Sequence, residues 1–361
     1  MTKIEIKNVN KFYGKLHVIK DVSVNIDNHS FTVLVGPSGC GKTTLLKILS
    51  GLLTPTEGKV LFDGKDVTKL GPQKRKIAQV FQFPVVYDTM TVFDNLAFPL
   101  LNYGMGTLEM RKRVEEIGEL LELSPHFKEG AKELSPHLKQ LVSLGRGLVR
   151  KDVSAVLFDE PLTAVSPRLK TFLRKKLKEI HAELELSFLY VTHDQTEALT
   201  FAEEVVVMKD GEILQQGCPR DLFENPKSSF VGHFIGTPGM NFLNYKVQKG
   251  KVTPMEVTSH IESYFKNSEK SEKEGQHSDG SGALGIRPQH VGLNLDPCLL
   301  NDWVWKVKKV DYLGASQLLT LEQESFSIKA VLEGRHSIRH GDRVGVEFPL
   351  NKVSLFPGES L

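Results

Sequence analysis

Apolar and polar residues follow two different rhythms along the first two thirds of the chain. Short apolar runs rich in valine, isoleucine and phenylalanine predict buried strands, whereas apolar residues three or four positions apart predict helices. The predicted strands are Ile4–Val9, Val22–Ile26, Phe31–Val35, Lys76–Val80, Ala155–Phe158 and Ser187–Val191, and the predicted helices are Thr43–Leu49, Thr107–Glu122 and Pro167–Leu186. Since strands and helices alternate, we expect an α/β domain with a mostly parallel sheet.

The rhythm changes near Gly236. Beyond it, apolar and polar residues alternate over Val304–Val310, Gln317–Leu321 and Arg343–Phe348, and helical signals are few. This pattern predicts a small all-β domain with an OB-like barrel. Residues 266–282 are polar, charged and rich in glycine, so we expect an exposed loop there. The predicted domains are therefore residues 1–235 and residues 236–361.

Composition and charge narrow the classes of function. The chain has 361 residues, 40% hydrophobic and 25% charged, as expected for two soluble globular domains. Its net charge of +2 provides no strong basic field, so nucleic acid is not expected as the principal partner. The three cysteines lack the spacing of a zinc site or a disulfide framework. We expect a cytoplasmic protein that reaches a membrane only through partners, since the sequence shows no export signal and no apolar run of about 18 residues.

A phosphate-binding loop is the strongest chemical signal. The segment GPSGCGKT fits G-x-x-x-x-G-K-[ST], follows a predicted strand and opens a predicted helix. Its glycines let backbone N–H groups converge on phosphate oxygens, Lys42 adds a charge, and the Thr43 hydroxyl is placed to ligate Mg²⁺. The predicted nucleotide-binding residues are Gly36, Pro37, Ser38, Gly39, Cys40, Gly41, Lys42, Thr43 and Thr44. A purely structural glycine turn is the alternative, which the Lys-Thr pair disfavours.

Two carboxylates, Asp159 and Glu160, follow the apolar run Ala155–Phe158. Nucleotides bind at the carboxyl ends of strands in open α/β sheets, so this pair is expected to face the phosphate loop. One carboxylate can hold Mg²⁺ and the next can polarise the attacking water. Taken alone, an acidic pair before a proline more often marks the turn that ends a strand.

His193 follows the next predicted strand and precedes Asp194. Asp194 and Glu197 fit a capping box, in which the two side chains satisfy the first N–H groups of a helix. His193 is not explained by that motif. A surface or cap residue is the simplest interpretation of a lone histidine, and contact with the γ-phosphate of a nucleotide is the alternative that its position favours.

These motifs together resemble those of ATP-binding-cassette (ABC) transporter ATPases. GPSGCGKTT, Gln82 in VFQFP, Leu134-Ser135, VLFDEP and Thr192-His193 occur in the order and spacing of that family. FIGTPGMNFL, LGIRPQHV and VDYLGASQ resemble the linker and C-terminal TOBE-like barrel of the maltose-type branch, which energises uptake of sugars and polyols. The resemblance implies a P-loop NTPase fold with a helical subdomain, ATP and Mg²⁺ as ligands, and integral membrane permeases and an extracytoplasmic solute-binding protein as partners.

The resemblance also implies roles for single residues. Tyr13 matches the aromatic residue that stacks on adenine, although a half-buried residue at a strand end is the alternative. Gln82 matches the glutamine that senses Mg²⁺ and the attacking water. Residues 83–100 match the surface that receives a short helix of the membrane subunit, and we expect them to mix core and docking residues. Lys42, Gln82, Glu160 and His193 are the predicted catalytic residues, and Thr43, Gln82 and Asp159 the predicted metal ligands.

One motif departs from the family. After Leu134-Ser135 the family continues Gly-Gly-Gln and clamps the ATP held by the opposite subunit, whereas this chain has Pro136, His137 and Leu138, followed by Lys139 and Gln140. Proline has no N–H to donate, and the histidine side chain hinders close approach of the backbone to a phosphate. Ser166 also stands where the family usually has an aspartate that links the two sites. The clamp, Ser135, Pro136 and His137, is therefore predicted to be weakened.

Each composite site joins the phosphate loop of one chain to the clamp of the other. A weakened clamp favours a heterodimer with a second ATPase whose clamp is intact, and a homodimer that tolerates the change is the alternative. The SPHLKQ variant resembles one of the two ATPases of a glycerol importer. We predict an importer ATPase on the cytoplasmic face of the cell membrane, and a regulatory protein that binds ATP with little turnover is the other candidate.

Overall fold

The computed structural model describes residues 3–102, 104–163, 165–248, 251–254, 280–296, 303–323 and 326–359. The chain divides into two compact units, Met1–Arg220 and Asp221–Leu361. This division lies earlier in the chain than the sequence-predicted boundary after residue 235. The reason is that Arg287 of the second unit donates hydrogen bonds to the carbonyls of Phe223, Gly232 and Ile235 and so holds this segment.

Ten strands and seven α-helices lie before Cys218 in the described residues of the first unit. The strands are β1 Ile4–Tyr13, β2 Leu16–Ile26, β3 Phe31–Val35, β4 Glu57–Phe62, β5 Lys65–Asp66, β6 Ile77–Val80, β7 Ala155–Asp159, β8 Ser187–Thr192, β9 Glu204–Lys209 and β10 Glu212–Gly217. The helices are α1 Lys42–Ser50, α2 Pro72–Arg75, α3 Val92–Leu101, α4 Thr107–Leu120, α5 Pro136–Leu148, α6 Pro167–Leu184 and α7 Gln195–Phe201.

The larger sheet of this unit has six strands in the order β10-β9-β3-β8-β7-β6. All neighbours are parallel except the hairpin partners β9 and β10. Every residue of β3 and β8 is buried, because a parallel strand inside such a sheet is covered on both faces. The α/β domain with a mostly parallel sheet is therefore confirmed.

A second sheet was not expected from the sequence. It has four antiparallel strands in the order β2-β1-β4-β5, and it shares one apolar core with α1 and the larger sheet. Only short apolar parts of β1 and β2 were predicted, and β4 was missed because Glu57, Gly58 and Lys59 at its start are exposed and dilute the apolar signal. This sheet matters for the site because the β1–β2 hairpin carries Tyr13.

The predicted ends of one strand and one helix differ from the observed ones by one or two residues. Residue 76, predicted as the start of a strand, has φ of 55° in the left-handed region and ends α2 instead. The predicted helix Pro167–Leu186 stops at Leu184, where Glu185 adopts φ of 51°. Helices α3, α4 and α5 pack on one another and form the helical subdomain that the family resemblance implies.

The second unit is mostly strands. The bounds are α8 Pro219–Glu224, which straddles the division, α9 Ser229–Phe234, β11 Asn241–Gln248, β12 Lys251–Pro254, β13 Gly280–Ile286, β14 Gly292–Asn294, β15 Val304–Tyr312, β16 Ser316–Gln323, β17 Phe326–Glu333, β18 Arg343–Glu347 and β19 Val353–Pro357. The strands form two sheets, in the orders β12-β11-β13-β19 and β14-β18-β15-β16-β17, and all neighbouring strands are antiparallel. Trp305 and Phe348 are among the side chains of its core. The predicted small β-domain is confirmed.

Most of the predicted exposed loop 266–282 lies outside the described residues. Its last three residues, 280–282, are not loop: they begin β13, where Gly282 pairs with Tyr245 and Pro357. A side chain on Gly282 would approach the carbonyl of Phe356 to 2.4 Å, so glycine here serves close strand packing and was wrongly interpreted as a sign of a loop.

No helix in the described part of the chain combines the length and the apolar character that crossing a membrane requires.

Candidate functional site

Four chain segments meet at one edge of the larger sheet. In the parallel register Val35 pairs with Thr192, Asp159 with Val191, and Val80 with Phe158. The residues that follow these strand ends are the phosphate loop 36–41, Glu160, His193 and Gln82. The structure therefore brings together the predicted loop, the acidic pair, the histidine and the glutamine, at the carboxyl edge where nucleotides bind in such sheets.

The phosphate loop requires glycine for two separate reasons. Gly39 and Gly41 have φ of 80° and 107°, a region that residues with a Cβ rarely adopt. Gly36 is constrained by space, because a Cβ there would lie 2.1 Å from the carbonyl oxygen of Met208. Gly41 also directly precedes α1, whose first N–H groups have no side-chain cap and face the loop.

Lys42 folds back across this loop. The side chain is 5% exposed, and its ammonium donates hydrogen bonds to the carbonyls of Gly36 at 2.8 Å and Pro37 at 2.9 Å. Both acceptors are neutral carbonyls, so a negatively charged phosphate would be a stronger ligand for the ammonium. Cys40 lies beside it and burial raises the pKa of its thiol, which keeps the sulfur protonated and without charge.

Thr43 and Asp159 form the part of the site that suits Mg²⁺. Thr43 Oγ1 lies 3.4 Å from Asp159 Oδ1, so a hydroxyl and a carboxylate converge from α1 and β7. Burial raises the pKa of Asp159, and the charge of Glu160 adds to this shift, while the hydroxyl of Thr43 opposes it. A divalent cation would compensate both unfavourable effects. Among the described residues no cluster of three or more His, Cys, Asp or Glu could hold a metal, so the remaining oxygens would come from nucleotide and water.

Glu160 and His193 are in direct contact. His193 Nδ1 lies 3.0 Å from Glu160 Oε2, and the same oxygen accepts a hydrogen bond from Thr163 Oγ1 at 3.2 Å. The backbone of Glu160 has φ of 47° and its N–H donates to Val191 O at 3.0 Å. A left-handed glutamate costs on the order of 1–2 kcal/mol, and such strain is typical of functional positions.

Tyr13 lies at the end of the β1–β2 hairpin, paired with Leu16. Tyr13 is 49% exposed, and Lys11 Nζ lies over its ring, 5.4 Å from the ring centre. Further along β2, the Val18 carbonyl would be 3.1 Å from a Cβ on Gly41. The hairpin therefore lies beside the end of the phosphate loop, and stacking on adenine stays a prediction.

Gln82 begins an exposed segment that holds several large apolar side chains. Phe83 is 68% exposed, Val85 46% and Tyr87 38%. The segment is nevertheless fixed: the backbone of Val85 is bonded to Ser143 of α5 and that of Tyr87 to Asn95 of α3. Further on, the apolar residues Val92, Leu96, Ala97 and Leu100 of α3 are buried. As expected, residues 83–100 mix core positions with an exposed apolar surface.

The clamp residues lie at the start of α5, which packs against α3, α4 and β6. Ser135 is the N-cap but makes no capping hydrogen bond, because its hydroxyl is engaged with His137 Nδ1 at 2.7 Å. Pro136 occupies the first helical position. Within the described residues none of their hydrogen bonds reaches the phosphate loop of the same chain. The hydroxyl of the clamp serine is thus engaged within its own helix start.

The residues after the clamp do not replace the glutamine side chain that the family has at position 138. Lys139 Nζ pairs with Asp88 at 3.5 Å. Gln140 is 6% exposed, and its Nε2 has no hydrogen-bond partner among the described residues. Leu138 is partly buried. Ser166, which stands where an aspartate is usual, is the N-cap of α6 and makes no side-chain capping bond.

The capping box predicted for α7 is half wrong. Asp194 does cap the helix, accepting from Thr196 N at 2.9 Å. Glu197 does not return to the Asp194 N–H, which is bonded instead to Thr192 Oγ1 at 3.0 Å. Glu197 points inward and accepts from Thr192 Oγ1 at 2.7 Å. Three supporting residues were thus missed from the sequence: Thr192, Glu197 and Thr163, which is the partner of Glu160. Only the hydroxyls of Thr192 and Thr163, next to the catalytic motifs, could have drawn attention to these two residues.

Family models match both parts of the chain. Residues 19–163 match the model of the ABC transporter family and residues 284–356 that of the TOBE domain. The oligosaccharides import ATP-binding protein MsmX of Bacillus subtilis is 36% identical over 364 residues, which cover 100% of this chain and 99% of the relative. This chain is an ATP-binding protein of the ABC transporter family. Such a protein binds ATP with Mg²⁺ and hydrolyses it, so the fold and the family resemblance predicted from the motifs are confirmed.

A further relative of this ABC ATPase supports the same branch, and a solved structure supports the fold of its ATP-binding unit. The sn-glycerol-3-phosphate import ATP-binding protein UgpC of Cupriavidus pinatubonensis is 34% identical over 369 residues, covering 100% of this chain and 98% of the relative. The solved structure of cbiO1 from Clostridium perfringens, part of the ABC transporter complex cbiONQ, matches with a TM-score of 0.58 at 27% identity. That match covers 61% of this chain and 89% of the other.

Proposed function

We propose that this chain hydrolyses ATP to drive uptake of a carbohydrate or polyol, with glycerol as a specific candidate, through integral membrane permeases. The observation that carries hydrolysis is the contact between Glu160 and His193 at the sheet edge that also bears the phosphate loop. The relatives named for import of oligosaccharides and of sn-glycerol-3-phosphate support the solute class. The chain would act at the cytoplasmic face of the membrane, bound to the permeases.

Each predicted residue has a task in this proposal. Lys42 exchanges its two carbonyl partners for phosphate oxygens and offsets their charge. Thr43, Asp159 and Gln82 would hold Mg²⁺, which would supply positive charge to offset that of the phosphates. Glu160 polarises the attacking water, and His193 orients that carboxylate and contacts the γ-phosphate. Tyr13 stacks on the adenine.

The clamp of this chain supports pairing with a second, different ATPase. Pro136 offers no N–H, and the hydroxyl of Ser135 is engaged with His137. In a homodimer both composite sites would contain this clamp. In a heterodimer the partner's intact clamp would cover the triphosphate bound at Lys42 and Glu160. One composite site with an intact clamp would suffice for turnover.

Contact with the permeases is assigned to the exposed segment 83–87. The backbone N–H of Val85 donates to Ser143 of α5 and that of Tyr87 donates to Asn95 of α3, so the backbone that carries these apolar side chains and Phe83 is fixed before a partner arrives. A preformed apolar patch suits the insertion of an amphipathic helix of a membrane subunit.

Uptake by the complex in proteoliposomes tests the proposal. The chain, its permeases, a candidate second ATPase and the solute-binding protein would be reconstituted, and uptake of radiolabelled glycerol, sn-glycerol-3-phosphate and a maltooligosaccharide compared. We expect ATP-dependent uptake of one of them, lost with Glu160→Gln and retained with Glu179→Gln, a surface change on α6. ATP binding without hydrolysis by the wild-type complex would support the regulatory alternative instead.

A further inference from the structure

A buried carboxylate that the proposed mechanism does not use lies behind His193. Glu197 of α7 is 2% exposed. Its Oε2 accepts hydrogen bonds from Thr192 Oγ1 at 2.7 Å and from the hydroxyl of Tyr190 at 3.1 Å, and its Oε1 lies 3.7 Å from Lys170 Nζ. A charge buried this deeply is expensive unless its partners are well arranged, so the arrangement around it is stiff.

The hydroxyl of Thr192 is used in both directions. It donates to Glu197 and accepts from the backbone N–H of Asp194 at 3.0 Å. These bonds tie together the residues on either side of His193 and leave its backbone at the apex of a closed turn. From that apex His193 Nδ1 reaches Glu160 Oε2 at 3.0 Å.

We propose that Glu197, acting through the hydroxyl of Thr192, is the positioning residue that presents His193 to Glu160. A carboxylate acceptor shortens and strengthens the bond from Thr192, so the turn is held more firmly than a neutral acceptor would hold it. This inference rests on the proposed role of His193 in hydrolysis. Neither Glu197 nor Thr192 touches substrate in this assignment, so neither is a catalytic residue.

Lys170 extends the arrangement to α6. Its ammonium lies 3.7 Å from both Glu197 Oε1 and Asp194 Oδ2. The segment that enters α6 contains Thr163, whose hydroxyl bonds Glu160. Glu160 is thus bonded by both His193 and Thr163. The ion pair of Glu197 with Lys170 links α7, which follows His193, to α6, which follows Thr163. A loosened link is expected to slow the chemical step while leaving nucleotide binding at the phosphate loop intact.

Matched substitutions at Thr192 provide the first test, using the complete importer complex. Thr192→Val removes the hydroxyl while keeping the shape, and Thr192→Ser restores it. We expect Thr192→Val to lower kcat by about 10-fold to 100-fold with KM for ATP within about twofold, and Thr192→Ser to stay within about threefold of wild type. Thr200→Val on the surface of α7 is the control for loss of a threonine hydroxyl.

A second test asks whether the effect passes through His193. Glu197→Gln keeps the shape and removes the charge, and should lower kcat in the same way. In a His193→Ala background, Thr192→Val and Glu197→Gln should cause little further loss, because the residue that they position is already gone. His193→Ala alone must lower kcat. If it does not, the proposed role of His193 fails, and the positioning inference fails with it.

A readout other than activity separates positioning from general damage. Nitrogen-15 spectra of the histidine rings in the nucleotide-free complex should show the His193 ring fixed in wild type and in Thr192→Ser, and altered in Thr192→Val. Full activity of both Thr192→Val and Glu197→Gln would overturn the inference. So would losses that multiply fully with that of His193→Ala, or a loss of ATP binding that parallels the loss of kcat, because either result indicates a structural role alone.

Discussion

Thr163 Oγ1 and His193 Nδ1 both bond Oε2 of Glu160, so one carboxylate oxygen joins the residues that follow two neighbouring strands. The acidic pair and the histidine are 33 residues apart in the chain, and the parallel register of β7 and β8 brings them together. The other half of the ATP machinery, the clamp on α5, shows the reverse: its serine hydroxyl is turned to its own His137.

Repair of the clamp should raise hydrolysis by the purified chain. Pro136→Gly with His137→Gly returns a backbone donor and frees the Ser135 hydroxyl, so we expect the rate without a partner ATPase to rise by about tenfold or more. Steady-state phosphate release measures it.

The chain supplies its own control for the clamp. The same four residues, Leu-Ser-Pro-His, occur at 123–126, where His126 bonds Glu129 at 2.8 Å and Ser124–His126 form one short 3₁₀ turn. Pro125→Gly with His126→Gly should leave the rate unchanged. An unaltered rate after repair of residues 136 and 137 would argue against a weakened clamp and favour the homodimer.

Asp159→Asn should separate stability from function. Burial and the neighbouring Glu160 raise the pKa of Asp159, so the folded chain binds a proton more tightly here than the unfolded chain does. The wild type therefore loses stability as pH rises from about 3.8 through the folded pKa, and at neutral pH carries an unfavourable charge. Without nucleotide and Mg²⁺ the variant should unfold at a higher temperature than wild type, by calorimetry.

The same variant should lose its response to the cation. Addition of Mg²⁺ with ATP should raise the melting temperature of wild type and not that of Asp159→Asn, and hydrolysis should fall at least about 100-fold. Asp152→Asn, in a surface pair with Arg150, is the comparison. Lower stability of Asp159→Asn than of wild type in the absence of ligands would contradict the assignment of Asp159 as a metal ligand whose charge is unfavourable without the metal.

His181 should make the first unit sensitive to mild acid. Burial lowers the pKa of this imidazole, which packs against Phe31 and Phe188, and its Nε2 has no hydrogen-bond partner in the part of the chain that the structure describes. The unfolded chain binds the proton near pH 6.5 and the folded chain only at lower pH, so stability is lost as pH falls below about 6.5. His181→Phe should flatten this dependence, whose slope cannot exceed about 1.4 kcal/mol per pH unit from a single site.

Urea unfolding at pH 7.5 and pH 5.5 measures the difference. His126→Gln, an exposed site paired with Glu129, controls for loss of a histidine. An equal loss of stability in wild type and His181→Phe would show that other groups cause it.

Arg287 should hold the second unit together. It is 2% exposed, burial lowers its pKa to about 10, and its guanidinium donates to three backbone carbonyls, among them Gly232 O at 2.7 Å and Phe223 O at 2.8 Å. Arg287→Met removes the guanidinium donors from all three carbonyls, of which Gly232 O still accepts from the N–H of Met240 at 3.2 Å, and should cost about 3 kcal/mol of unfolding free energy.

Arg287→Lys should cost less than Arg287→Met, because the ammonium keeps the charge and some donors but lacks the planar fork. Chemical denaturation followed by Trp303 and Trp305 fluorescence reports on this unit, and the exposed Arg335→Met serves as the control. A change below about 0.5 kcal/mol for Arg287→Met would refute the assigned role.

The amino-acid sequence is sufficient to predict the phosphate loop, the parallel strands and the missing backbone donor of the clamp. The GPSGCGKT segment requires a loop between strand and helix, because glycine at 39 and 41 permits positive φ and glycine at 36 permits close packing. Apolar runs in β3, β7 and β8 predicted the parallel sheet, and the carboxylates at the end of β7 predicted where a metal and the attacking water would bind. The missing N–H of Pro136 is likewise a property of the residue itself.

Contacts between residues that are distant in the chain determine which of these functional groups bond to one another. Sequence spacing could not show that His193 reaches Glu160, because that contact depends on strand register and on a glutamate backbone at φ of 47°. It assigned Glu197 to a cap, whereas packing turns this side chain inward to Thr192. The engagement of Ser135 by His137 depends on a rotamer, and the antiparallel sheet around Tyr13 depends on pairing between distant strands. Local patterns specify what a residue can do, and long-range contacts specify its partner.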